Sequence, residues 1–107
     1  MGVKIAADGG TITAILDGEI DHHTAKGMRE KIDEAINKKH PTQLNLDFGG
    51  IQFMDSSGIG LIMGRYKLMK TIGGKVKAIN LSRSMERMVK LSGLGALGVI
   101  EEGCGNR

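Results

Sequence analysis

The chain switches repeatedly between two hydrophobic rhythms, and that switching constrains its fold more than any other feature. Val3, Ile5 and Ala7 recur at every second residue, as do Ile12, Ala14 and Leu16, with Thr11, Thr13 and Ile15 between them. A period of two is the pattern of a strand with one covered face. Met28, Ile32, Ala35 and Ile36 are instead spaced by three and four, which predicts a helix over about residues 22–37. Leu44, Leu46 and Phe48 return to alternation, and about residues 57–72 read as a second helix. A short strand at 76–80, a third helix carrying Met85, Met88 and Val89, and a last short strand at Val99-Ile100 complete the order β-β-α-β-α-β-α-β. Strands separated by helices pair in parallel through crossovers, whereas the first two are close enough to form an antiparallel hairpin. The expectation is an α/β domain with a mixed sheet and helices packed on it.

The punctuation between these segments is equally specific. Asp8-Gly9-Gly10 supplies the positive φ that a tight hairpin requires. Asp17-Gly18-Glu19 reads as a break in the second strand, and Asp21 as the N-cap of the first helix, which His40-Pro41 ends. Arg29 with Asp33 and Glu34 with Lys38 are i,i+4 pairs expected on the solvent side of that helix, each worth a few tenths of a kcal/mol. Gly49-Gly50 loosens the chain after the third strand. Gly73 is a candidate left-handed cap for the second helix. Ser82 caps the third, which stops near Ser92-Gly93.

With 107 residues, the chain has the length of one domain, read as spanning 1–107 with a patternless, frayed tail at 103–107. Its only aromatics are Phe48, Phe53 and Tyr66, so the core must be aliphatic, and the seven methionines read as adaptable packing. No apolar run approaches the ~18–20 residues of a membrane span, and Met1-Gly2-Val3-Lys4-Ile5 does not resemble a signal peptide. The single Cys104 excludes an intrachain disulfide and a multi-cysteine zinc site. These features predict a cytoplasmic protein. The net charge of +3 is spread over 15 basic and 12 acidic residues, without aromatic stacking platforms, which argues against direct nucleic-acid binding.

Chemistry concentrates in Phe53-Met54-Asp55-Ser56-Ser57-Gly58-Ile59-Gly60. Two hydroxyls and a carboxylate stand there at the predicted start of a helix, where backbone N–H groups lack partners and the dipole favours negative charge. One reading makes Ser56 or Ser57 simply an N-cap, worth about 1 kcal/mol. Another makes the segment a modifiable docking surface. Gly58, Gly60 and Gly64 each cost about 1 kcal/mol in a helix relative to Ala, and would let another molecule approach the backbone. Leu61, Leu68 and Ile72 form one apolar row, and Ile59, Ile62, Met63, Tyr66 and Met69 form another. One row can face the sheet while part of the other meets a partner. A serine at a helix start can also carry phosphate without melting the helix.

Catalytic alternatives are weaker. The Gly-x-Ser-x-Gly elbow, the phosphate-loop pattern and the dinucleotide fingerprint are all absent. His22 and His23 are adjacent and diverge by about 100° on a helix, so they cannot act as an i,i+4 metal pair. A phosphohistidine carrier using either remains an alternative, as does nucleotide binding at the glycine-bearing helix start. Asp17, Glu19 and Asp21 cluster before the first helix without a visible catalytic partner. No enzyme activity, metal or cofactor is expected.

Three segments together resemble the anti-sigma-factor antagonists of the STAS family, of the bacterial sporulation type. They are Gly18-Glu19-Ile20-Asp21-His22-His23-Thr24-Ala25, the 53–60 segment, and Gly64-Arg65-Tyr66-Lys67, with Lys90-Leu91-Ser92-Gly93-Leu94 matching further on. The resemblance implies a STAS-like mixed sheet of four to five strands with helices packed mainly on one side. It implies a binding switch in which the unphosphorylated form binds an anti-sigma factor that is also a serine kinase, freeing a sigma factor for transcription. The kinase would modify Ser56, and a serine phosphatase would reset it. Glu19, Asp21, His23, Thr24, Asp55, Ser57, Gly58, Ile59, Gly60 and Arg65 are the candidate partner-binding residues. Arg65 could pair across the interface or lie along the surface. A STAS subunit of a stress-signalling or transporter-associated complex is the alternative role. Members of this type usually carry a further C-terminal helix, which Gly103-Cys104-Gly105-Asn106-Arg107 does not suggest.

Overall fold

Gly9, at φ +63°, turns the chain between β1 (Val3–Asp8) and β2 (Thr11–Ile20). The two strands pair antiparallel, from Val3 opposite Leu16 to Asp8 opposite Thr11. The computed structural model describes residues 2–100, so the tail at 103–107 and Cys104 lie outside the described residues. Three helices follow: α1 (Ala25–Lys39), α2 (Ser56–Thr71) and α3 (Arg83–Leu91). Between them come β3 (Gln43–Met54) and β4 (Lys75–Ile79). The four strands lie in chain order, with β2, β3 and β4 parallel, so the sheet is mixed as the rhythm predicts.

Alternation sets which face is covered. Ile12, Ala14, Leu16, Leu44, Leu46, Phe48, Val76 and Ala78 are buried in one cluster with Met28, Ile32 and Ile36 of α1 and Leu61, Ile62 and Met69 of α2. Burying each large side chain contributes about 1.5–3 kcal/mol. The alternate residues stay polar and partly wet: Gln43 Nε2 donates to Asn45 Oδ1 at 2.8 Å, and Asn45 Nδ2 to Thr13 Oγ1 at 3.5 Å.

Several local expectations are corrected. Asp17-Gly18-Glu19 does not end β2, which runs on to Ile20 with register shifts between Ile15 and Asp17 and between Gly18 and Glu19. Gly18, at φ +96°, absorbs the irregularity, and β3 supplies ladder partners beyond it. Likewise β3 passes through Gly49-Gly50. A Cβ on Gly50 would stand 2.9 Å from the Leu16 carbonyl, so glycine permits the bulged strands to approach. Helix α1 starts three residues later than expected, with Thr24 rather than Asp21 at its N-cap, and ends at Lys39, where His40 turns left-handed at φ 49°.

At the other end of the sheet, Gly73 (φ +75°) and Gly74 close α2 through N–H bonds to the carbonyls of Lys70 and Met69. Ser82 caps α3 by accepting from Met85 N at 3.2 Å. The expected last strand reduces to one bridge, Ala78 to Ile100, with Ala78 N donating to Val99 O at 2.6 Å. A 3-10 turn at Leu94–Leu97, unforeseen from the sequence, precedes it.

Candidate functional site, a pair of capped turns at one sheet end

Neighbouring parallel strands must release their chains at the same end of the sheet. Here Ile20 lies opposite Met54 and Glu19 opposite Phe53, so β2 and β3 end side by side. Asp55 N donates to Ile20 O at 3.1 Å, tying the two exits together. The Gly18–Ala25 and Phe53–Gly60 motifs, whose first residues are 35 positions apart in sequence, thereby form one surface.

The first turn is held by its own side chains. Asp21 Oδ1 accepts from His23 N at 2.8 Å and Thr24 N at 3.0 Å. Thr24 Oγ1 donates to Glu19 O at 2.8 Å and accepts from Asp21 N at 3.0 Å. The Thr24 N–H bond holds the Asp21 carboxyl below its ordinary range, with help from His23, against a smaller desolvation that opposes it. Asp21 and Thr24 therefore shape the turn, while Glu19 and His23 project from it as exposed residues. The His22 and His23 rings sit 4.0 Å apart between centroids, tilted by 37°.

In the second turn the cap is Asp55, not either serine: its carboxylate accepts from Ser57 N at 2.7 Å. That leaves Ser56 as the first residue of α2, exposed, with no hydrogen-bond partner for its hydroxyl among the described residues. Ser57 is half-buried. Gly60 is exposed, and a Cβ there would meet nothing within 4 Å. Ile59 is half-buried against the core.

Two candidate partner residues are corrected. Gly58 is buried, and a Cβ on it would strike the Met54 side chain, so this glycine serves helix-to-strand packing. Arg65 is 5% exposed, and its Nε lies 2.8 Å from Asp33 Oδ1 on α1. It bridges the two helices instead of facing outward. Asp33 thus pairs between helices, not with Arg29 on the solvent side of α1. Burial raises the Asp33 carboxyl and lowers the Arg65 guanidinium, each opposed by the attraction of the other charge. The buried stripe of α2 is Gly58, Leu61, Ile62, Arg65 and Met69, which draws on both apolar rows and takes in the arginine between them.

One candidate escaped the sequence reading. Phe53, directly before Met54-Asp55, is 52% exposed although it is one of three aromatics in the chain. No simple period marked it: Gln52 and Phe53 are both exposed between buried Ile51 and Met54, because the alternation of β3 breaks at Gly49-Gly50.

The STAS domain family matches residues 3–102, and the chain belongs to the STAS family. Within it, the likeness is to anti-sigma-factor antagonists. The anti-sigma F factor antagonist of Paenibacillus polymyxa is 40% identical over 85 residues, 79% of this chain and 73% of that relative. The anti-sigma factor antagonist SpoIIAA in its unphosphorylated form superposes with a TM-score of 0.81 at 31% identity, covering 94% of this chain and 86% of that one. The phosphorylated form of the Bacillus cell-fate determinant SpoIIAA gives 0.74 at 32% identity, covering 94% and 89%. The family is regulatory. Among the described residues, no helix is long and apolar enough to cross a membrane, and no group of three or more His, Cys, Asp or Glu side chains could hold a metal ion.

Proposed function

We propose that this chain is a cytoplasmic, non-enzymatic switch: unphosphorylated, it binds an anti-sigma factor with serine kinase activity and so releases a sigma factor, and phosphorylation of Ser56 ends the binding. The observation that carries this reading is the exposed, unpartnered hydroxyl of Ser56 at the start of a helix, beside the Asp21 turn. A kinase can reach that oxygen without unfolding α2. The resulting phosphate adds about −1.5 to −2 charge at pH 7. The helix start tolerates the charge, since the dipole favours an anion there. A partner seated on the same surface would have to desolvate a dianion next to the Asp55 carboxylate, which opposes docking. The switch therefore acts on the interface rather than on the fold.

Glu19, His23, Ile59 and Gly60 supply the docking face, while Asp21, Thr24, Asp55 and Ser57 hold its two turns in shape. A serine phosphatase resets the protein. The test uses the anti-sigma F factor of Paenibacillus polymyxa with ATP, followed by mapping of the label. An acid-stable phosphate on Ser56, absent from Ser56→Ala, is expected. An acid-labile label would point to His22 or His23 and refute the reading, as would a label on any other residue. Circular dichroism and hydrogen exchange should barely change on modification, and loss of protection across α2 would contradict an interface switch.

A further inference from the structure

An open cavity of about 330 Å³ lies between the start of β1, the bulged part of β2 and the first turns of α1. Val3, Gly18, Glu19, Thr24, Gly27 and Met28 are among the residues lining it, and its surface is mostly apolar. Gly27 is the unexpected member. It lies inside α1, where alanine favours the helix, and its φ is not in the left-handed range. A Cβ there would meet nothing within 4 Å. Gly18 on the opposite wall is likewise open, but its φ of +96° explains it. Neither packing nor backbone geometry in the free chain accounts for Gly27, whereas a missing side chain keeps this cavity open.

We propose that the cavity receives one apolar side chain of the anti-sigma partner, an inference that rests on the functional reading above. Continuity argues for that occupant. Glu19 and Thr24 line the cavity and also belong to the turn beside Ser56, so a protein covering the Ser56 surface reaches the cavity mouth. Met28, 5% exposed, lines it with a flexible thioether that can adapt to an entering group. A buried apolar anchor next to a polar, charge-sensitive rim is the usual division of labour in an interface. Affinity would come from the cavity and switching from Ser56.

The test compares the unphosphorylated wild type with Gly27→Leu and Gly27→Ala for calorimetric binding to the anti-sigma F factor of Paenibacillus polymyxa. Thermal unfolding of each variant and the Met28 methyl resonance of the wild type are followed in parallel. Gly27→Leu is expected to lose about tenfold or more in affinity, the scale of an interface anchor, with a thermal midpoint at or above that of the wild type. Gly27→Ala should lose less. The Met28 methyl signal should shift when the partner binds. Equal affinity of wild type and Gly27→Leu, or an unmoved Met28 signal in the complex, overturns the cavity proposal and leaves Ser56 as the switch. Failure of the wild type to bind overturns the functional reading and this inference together. A Met28 shift that follows chain concentration without the partner assigns the cavity to a second copy, and also overturns the proposal.

Discussion

Removing the carboxylate of Asp33 tests how the two halves of the site are held in register, since α1 and α2 each begin at one of the paired turns. Arg65 is 5% exposed, and its Nε lies 2.8 Å from Asp33 Oδ1 as an ion pair that lacks hydrogen-bond alignment, so Nε, Nη1 and Asp33 Oδ1 are all buried without a hydrogen-bond partner. Breaking a fully buried ion pair by deleting one member costs about 3–5 kcal/mol, mostly because the other charge is left in a low dielectric. An exposed pair is worth about 0–1 kcal/mol. The Asp33 side chain is 29% exposed and that of Arg65 only 6%, which places this pair between those limits. Asp33→Ala, which strands the guanidinium, is expected to cost about 2 kcal/mol.

The reverse deletion is milder. Arg65→Met leaves a carboxylate that still reaches water and removes the unsatisfied Nη1, so its cost should stay below about 1 kcal/mol. Urea unfolding at pH 7 measures both: Asp33→Ala should lower the midpoint by about 1 M with an unchanged slope. Stability of Asp33→Ala within about 0.5 kcal/mol of wild type, or a larger loss for Arg65→Met, would refute the argument that guanidinium desolvation dominates this contact.

Three further outcomes are expected. Gly58→Ala should destabilise the chain by about 1–3 kcal/mol, because its methyl displaces the Met54 side chain in the core, whereas Gly60→Ala should raise stability by up to about 1 kcal/mol; chemical denaturation of both variants checks the contrast. The Asp21 carboxyl titrates below its ordinary value of 3.8, so its contribution is complete above that pH and is lost as pH falls through the lowered value. This follows from the hydrogen bonds that the Thr24 and His23 N–H groups give the carboxylate. An acid titration of Asp21→Asn should remove this slope. Finally, Ser56→Asp should bind an anti-sigma partner at least about tenfold more weakly than Ser56→Ala, through like-charge repulsion and desolvation; equal affinities in calorimetry would exclude Ser56 as the switch.

Local rhythm determined much of this protein. Alternation at 12–16 and 44–48 set the buried face of the sheet, the spacing of Met28, Ile32 and Ile36 set that of α1, and Gly73 and Ser82 marked helix ends, because each depends on side chains a few residues apart. The two site motifs were also legible as unusual helix starts, although the sequence left open which residue caps the second. What tertiary structure alone decided involves partners distant along the chain. Asp17-Gly18 and Gly49-Gly50 look like breaks by local propensity, yet the ladder between β2 and β3 carries both strands through them. Arg65 has the polarity of a surface residue, and only the approach of α1 supplies the carboxylate that makes its burial tolerable. The exposure of Ser56, and its place beside the Asp21 turn, follow from the parallel register of β2 and β3, since hydrogen bonding between segments more than thirty residues apart leaves no mark on the local pattern of either.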